Sequence, residues 1–244
     1  EMLRSLVGSE MCIRDRSDLR EAKAAVMAAR DVFAGPVVAT MTFEADGRTV
    51  TGTPAEVAAV TLAAAGADAV GANCTLGPRQ MIPILRAMAD VVTVPLCAQP
   101  NAGKPRLAAG KTTFKQTPAD FAATVPGLIT AGVSLIGGCC GTTPEHIRAV
   151  TAAVGDAKPA SRPRPRPSFL ASRTRLVAVG GAPVIVGERI NPTGKPQLQK
   201  DLETGRMQLV ATWAKEQTAA GASVIDVSVG GTADPPAAMR RAVE

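Results

Sequence analysis

Five cysteines stand among the 244 residues, and two of them are adjacent, within Gly137-Gly138-Cys139-Cys140-Gly141-Thr142-Thr143-Pro144-Glu145-His146. The pair follows an apolar stretch, Val133-Ser134-Leu135-Ile136, and precedes a helix start at Thr143-Pro144-Glu145. Neighbouring side chains on a regular strand point to opposite faces. Flanking glycines relax that rule, because they let the backbone turn until both sulfurs face one point. Cys74 occupies a matching place, one residue after Asn73 at the end of an earlier apolar stretch. Three thiolates from two strand ends suit zinc, at Zn–S distances of about 2.3 Å. Three protein ligands leave a fourth position open, the arrangement of a catalytic rather than a structural site. A substrate thiol bound there would lose its proton at neutral pH and become a nucleophile. On spacing alone, a redox pair at Cys139-Cys140 or inert packing fits as well.

The remaining candidates are weaker. Cys97, inside Leu96-Cys97-Ala98, reads as core. His146, the only histidine, falls three residues after Thr143 and reads as a surface or supporting residue rather than a ligand. Asn73 and Asn101 both sit just past strand ends, where an amide either fixes a loop or holds a polar substrate.

The elements that must position these residues alternate between strand and helix. A helix is expected from Ser17 to about Phe33, then strands over 37–43, 67–73, 92–98 and 133–137. Between them come helices opened by Thr53-Pro54-Ala55-Glu56, Gly77-Pro78 and Thr117-Pro118-Ala119-Asp120, and a last one runs from Thr143 to about Val154. Thr53 and Glu56 have the spacing of a capping box. Strands that are apolar on both faces, each followed by a helix, make a parallel sheet with two layers of cover. Doubly wound sheets and (β/α)8 barrels both fit. A complete barrel takes about 250 residues, and this stretch holds roughly half of one.

Residues 156–182 read as an extended, semi-rigid Pro/Arg-rich linker. Pattern resumes at Pro183, with a strand at 184–187, a helix from Leu202 to Ala220 closed by Gly221, and a strand at 223–227. The net charge of +6 is nearly accounted for by Arg162, Arg164, Arg166, Arg173 and Arg175, with Phe169 the single aromatic among them. Without stacking aromatics or a basic helix face, no nucleic-acid partner is expected. No apolar run reaches the ~18 residues of a membrane span, and no secretory signal opens the sequence. A soluble, cytoplasmic protein is expected.

Three stretches carry a resemblance: Gly71-Ala72-Asn73-Cys74-Thr75-Leu76-Gly77-Pro78, Gln99-Pro100-Asn101-Ala102-Gly103, and the Cys139-Cys140 segment quoted above. They resemble the homocysteine-binding domain of the cobalamin-dependent methionine synthases, as do Met41-Thr42-Phe43-Glu44 and Gly47-Arg48-Thr49. The resemblance covers roughly residues 17–155. It implies a (β/α)8 TIM barrel, of which this is the C-terminal half. It also implies zinc on Cys74, Cys139 and Cys140, homocysteine as the thiol, and Thr42, Asn73, Asn101 and Gly138 as substrate-binding positions. Val186-Gly187-Glu188-Arg189-Ile190-Asn191-Pro192-Thr193-Gly194 resembles the opening of the pterin-binding barrel of the same enzymes. Ala220-Gly221-Ala222-Ser223-Val224-Ile225-Asp226-Val227 resembles its second strand. Residues 183–244 would then begin a second (β/α)8 barrel, with Glu188, Asn191 and Asp226 near the pterin. The resemblance implies tetrahydrofolate as methyl donor and cobalamin on a domain outside this chain.

The departures are informative too. The family often has Asn two residues after the aspartate, where Ser228 stands here. A carboxylate expected just before Ser17, to hold the substrate amino group, is replaced by Asp15-Arg16. Residues 1–16, from which Cys12 comes, look like translated adapter sequence rather than protein. The expectation is a fragment truncated at both ends and inactive by itself. Alternatives are a cobalamin-independent homocysteine methyltransferase using S-methylmethionine or betaine, and a non-catalytic zinc or redox thiol module.

Overall fold

The computed structural model describes residues 18–108, 111–161 and 168–243. The adapter-like segment, Cys12, Asp15-Arg16, Ser17 and the Arg-Pro repeats at 162–167 lie outside them. The chain divides into two compact units, the first ending at Leu176 and the second starting at Val177.

The first unit opens with helix α1 (Leu19–Val32), whose first turn is capped by Asp18 accepting from the Arg20 N–H at 2.8 Å. Strand β1 (Val38–Thr42), helix α2 (Ala55–Ala64), strand β2 (Ala69–Asn73), helix α3 (Pro78–Ala89) and strand β3 (Leu96–Gln99) follow. A short hairpin, β4 (Arg106–Ala108) and β5 (Lys111–Thr113), precedes helices α4 (Pro118–Ala122) and α5 (Val125–Thr130). Strand β6 (Val133–Ile136) and helix α6 (Pro144–Val154) complete the alternation.

The four main strands pair in parallel in the order β1-β2-β3-β6, so chain order and spatial order run the same way. Such an order is singly wound; a doubly wound sheet would reverse direction at a switch point. Consecutive helices pack side by side, α2 with α3, α3 with α5, and α5 with α6. Every residue of β2 is buried, as continuous apolar character requires of a central strand. The core under the helices is built from medium side chains, among them Met41, Leu62, Leu85, Met88, Leu96 and Leu128, with Phe43 as its one aromatic.

Several expectations need correction. Thr53 does not cap α2. Its backbone is held in the preceding turn, accepting from Thr49 N–H at 2.9 Å while its own N–H donates to Thr49 Oγ1 at 3.1 Å, so extended Pro54 becomes the N-cap. The third strand starts only at Leu96: the amides of Val91 and Val92 turn back to Met88, and Pro95 has no N–H to give a ladder. The β4–β5 hairpin lies between the expected third strand and the helix opened by Thr117, where no element is assigned from sequence. Within the expected linker, β7 (Ser168–Ala171) and β8 (Leu176–Val179) form a two-stranded sheet.

The second unit contains β9 (Val186–Ile190), α7 (Pro196–Thr204), α8 (Gln208–Ala219), β10 (Val224–Val227) and α9 (Pro235–Val243). The single helix expected from Leu202 is two. Gly205, at φ 76°, ends α7 in the left-handed conformation, and α8 starts afresh after Met207. β9 and β10 pair in parallel, and Ile190, Leu198, Leu202, Val210, Val229 and Ala238 form the core.

Candidate functional site

Three loops meet at the C-terminal edge of the four-stranded sheet, following β2, β3 and β6. The loop after β2 turns at once: Cys74 and Thr75 have φ of 59° and 49°, left-handed values that cost a residue with a Cβ about 1–2 kcal/mol. The turn is held from its neighbours, with Cys74 N–H donating to Gln99 O at 3.0 Å and Asn101 N–H donating to Leu76 O at 2.9 Å. The loop after β6 is tied to the loop after β3 in the same way. Cys139 N–H donates to Pro100 O at 2.8 Å, and Ala102 N–H donates to Cys140 O at 2.9 Å. Thr142 then folds back, its hydroxyl donating to Cys139 O at 2.6 Å. Gly138 allows this, since a Cβ there would fall 2.5 Å from Thr142 Oγ1.

The outcome is a cluster of three sulfurs. Cys74 Sγ lies 3.7 Å from Cys140 Sγ, and Cys139 Sγ lies 3.9 Å from Cys140 Sγ. All three fall within 4.8 Å of one another, the one such metal-ligand grouping among the described residues. A tetrahedron with Zn–S bonds of about 2.3 Å has edges of about 3.8 Å, so the spacing fits three corners of a zinc site. It is far longer than the ~2.05 Å of a disulfide, and none of the three is disulfide-bonded. A hydrogen bond with Cys74, then burial, then the nearby Cys74 and Cys140 charges push the Cys139 thiol well above the usual range. The raised Cys139 thiol holds its proton unless a cation offsets that repulsion. Cys97 is a different case: buried in β3 away from the cluster, it is pushed up to about 11 by burial alone.

Two of the expected substrate positions adjoin this cluster. Thr42 and Asn73 end β1 and β2 and are paired in register. Thr42 Oγ1 and Asn73 Oδ1 are both buried without a hydrogen-bond partner, a cost of about 1–3 kcal/mol each. Asn101 is buried and otherwise engaged, its Oδ1 accepting from Cys140 N–H at 3.0 Å. His146 is buried rather than at the surface: Thr143 N–H donates to its Nδ1 at 3.2 Å, and its Nε2 lies 2.9 Å from Gln116 O. Gln116 escaped the reading of the sequence altogether. A histidine three residues after a helix-capping threonine, where Glu or Gln closes a capping box, is the signal that points to His146.

In the second unit, Glu188 Oε1 accepts from Asn191 Nδ2 at 2.9 Å, and Asn191 Oδ1 accepts from Thr193 N–H at 3.1 Å. Asp226 is exposed on the neighbouring strand β10, where the pairing with β9 shifts register. Arg189 stacks 4.8 Å over the Trp213 ring, a cation–π contact the sequence did not announce.

The family model for homocysteine S-methyltransferase matches residues 11–154, a stretch that contains all three clustered sulfurs. Methionine synthase of Mycobacterium tuberculosis (strain ATCC 25618 / H37Rv) is 35% identical over 223 residues, which cover 87% of this chain and 18% of that protein. Methionine synthase of Mycobacterium leprae (strain TN) is 34% identical over 225 residues, 87% of this chain and 19% of that protein. The chain therefore spans less than a fifth of the length of these curated relatives. Among solved structures, the oxidized form of the homocysteine methyltransferase MmuM from Escherichia coli aligns with a TM-score of 0.44 at 24% identity, over 55% of this chain and 41% of that one. Its metallated form aligns with a TM-score of 0.43 at 23% identity, over 54% and 40%. By the family match across most of its first unit, this chain belongs to the homocysteine S-methyltransferase family.

Proposed function

We propose that the protein from which this chain comes transfers a methyl group to the sulfur of homocysteine, giving methionine, at a zinc site held by Cys74, Cys139 and Cys140. The observation that carries this reading is the spacing of the three sulfurs, 3.7 and 3.9 Å on two edges. Zinc bound there supplies the positive charge that makes an added thiol a thiolate at neutral pH. The chain's own residues do the rest. Cys74, Cys139 and Cys140 would hold the ion as thiolates, with a further coordination position for the substrate sulfur. Asn73 Oδ1 and Thr42 Oγ1, buried without partners, are acceptors suited to the substrate ammonium. Asn101, through Cys140 N–H, and Gly138, through the approach of Thr142, act on the same site from behind the ligands. A cytoplasmic setting, where thiols stay reduced, suits three cysteines that form no disulfide.

The fold reading goes with it. A singly wound parallel sheet with consecutive helices side by side supports an arc of a (β/α)8 barrel, with the site at the C-terminal strand ends where barrel enzymes keep theirs. The second unit is read as the start of a second, pterin-binding barrel with Glu188, Asn191 and Asp226 near the pterin. Its support is that 87% of the chain aligns to methionine synthase, more than the first unit's 176 residues can supply. That favours methyltetrahydrofolate and methylcobalamin as donors over S-methylmethionine or betaine, with cobalamin carried on a domain outside this chain.

Metal analysis of the purified chain tests the site. About one zinc per chain is expected, with Cys139→Ala and Cys74→Ser each retaining almost none. A folded wild type that binds no zinc, or variants that keep it, would overturn the assignment in favour of a thiol module without metal.

A further inference from the structure

We propose that His146 is a positioning residue of the sulfur cluster, closing a ring of hydrogen bonds that sets where Cys140 stands against Cys74 and Cys139; this rests on the zinc reading above. The ring can be followed atom by atom. Cys140 O accepts from Ala102 N–H at 2.9 Å, and Ala102 O accepts from Gln116 N–H at 3.1 Å. Gln116 O lies 2.9 Å from His146 Nε2, and His146 Nδ1 accepts from Thr143 N–H at 3.2 Å. Three residues of chain then lead from Thr143 back to Cys140.

The partners fix the tautomer. A backbone N–H only donates, so Nδ1 carries no proton; Nε2 therefore holds it and donates to the Gln116 carbonyl. The Thr143 hydroxyl, 3.0 Å from Nδ1, joins on the acceptor side. The imidazole is 5% exposed and meets the fully buried Phe121 ring edge-on, with centroids 5.7 Å apart and planes at 82°. Water does not compete for either nitrogen in such a place, and the bonds are correspondingly costly to break.

The segment that His146 holds is the one that reaches the metal ligands. Residues 102–108 and 111–116 carry strands β4 and β5, and the second of these stretches contains Phe114 and Gln116. Phe114 packs directly on Gly141, where a Cβ would fall 2.3 Å from its Cγ. Removing the Nε2 donor leaves Gln116 O unpaired and frees this segment from α6. The Ala102–Cys140 bond then loses its support from α6, while the Asn101 bond at the Cys140 amide remains.

Amide substitutions separate the two nitrogens. His146→Gln can reproduce the donor to Gln116 O, whereas His146→Asn can reproduce the acceptor for Thr143 N–H and so keeps the helix start. The full chain and both variants are loaded with zinc and titrated with a chelator. Hydrogen exchange over residues 101–116 is followed in the metal-free proteins. The expectation is that His146→Asn lowers zinc affinity roughly 10–100-fold and deprotects 101–116, while His146→Gln stays within about threefold of wild type. A role confined to capping α6 gives the reverse order, with Asn rescuing and Gln failing, and overturns the proposal; so does unchanged affinity and exchange in both variants. If the wild type takes up no zinc, the metal reading fails by itself, and exchange over 101–116 in the metal-free proteins decides the case of His146.

Discussion

Among single residues, Cys74, Cys139 and Cys140 had the right type and order to be singled out from sequence; their spacing alone left a redox pair open, and the family resemblance implied zinc. The distances, 3.7 and 3.9 Å on two edges, fit three corners of a sulfur tetrahedron and are too long for a disulfide. Metal loading then depends on pH with a definite sign. Ligation needs thiolates, and in the metal-free site the Cys139 thiol holds its proton beyond the usual range, first through Cys74. Lowering the pH returns protons to the sulfurs and releases zinc; raising it strengthens binding. A chelator titration from about pH 6 to about pH 8 should show affinity rising throughout, and a flat profile would contradict a thiolate site. Asn101 shows the limit of reading an amide from its position. From sequence it could either fix a loop or hold substrate; its Oδ1 accepts from Cys140 N–H at 3.0 Å, a long-range bond that no local pattern encodes.

The elements were legible where an apolar block is bounded by glycine or proline. β2, fully buried between Gly66 and Gly77, and α3, opened by Gly77-Pro78, came out as expected. Thr53 misled because its backbone is engaged by Thr49, and the β4–β5 hairpin was missed because polar residues with no alternation give no strand signal. Below the sheet, at the end away from the sulfurs, Arg30 joins three elements. It donates to Gly66 O at 2.6 Å, to Gly35 O at 3.0 Å, and to the Asp68 carboxylate. The Val37 N–H first, and Arg30 second, hold Asp68 below its ordinary carboxyl value. A carboxyl lowered on folding stabilises above its unfolded pKa, and that contribution is lost as pH falls through the folded one. Arg30→Met should therefore lower the melting temperature at neutral pH, with the deficit narrowing in acid; equal deficits at both would assign the effect to the carbonyl bonds alone. Deeper in the unit, Leu85 is fully buried between α3 and the sheet. Leu85→Ala should cost about 2–5 kcal/mol in denaturant unfolding, and a loss under about 1 kcal/mol would mean that the core collapses around the gap.

On the scale of the whole molecule, the chain divides between Leu176 and Val177, inside the stretch read as linker. Low complexity there hid the β7–β8 pair, since proline and arginine repeats dominate the composition. The charge excess of +6 gathers in the same stretch. Among the described residues no helix is long and apolar enough to cross a membrane. The central claim, a zinc ion with one corner kept for a substrate thiol, is most directly tested by X-ray absorption at the zinc edge, with and without homocysteine. The account predicts about three sulfur neighbours near 2.3 Å in the resting protein and about four after homocysteine is added. A fourth sulfur already present without homocysteine, or a count that homocysteine leaves unchanged, would contradict it.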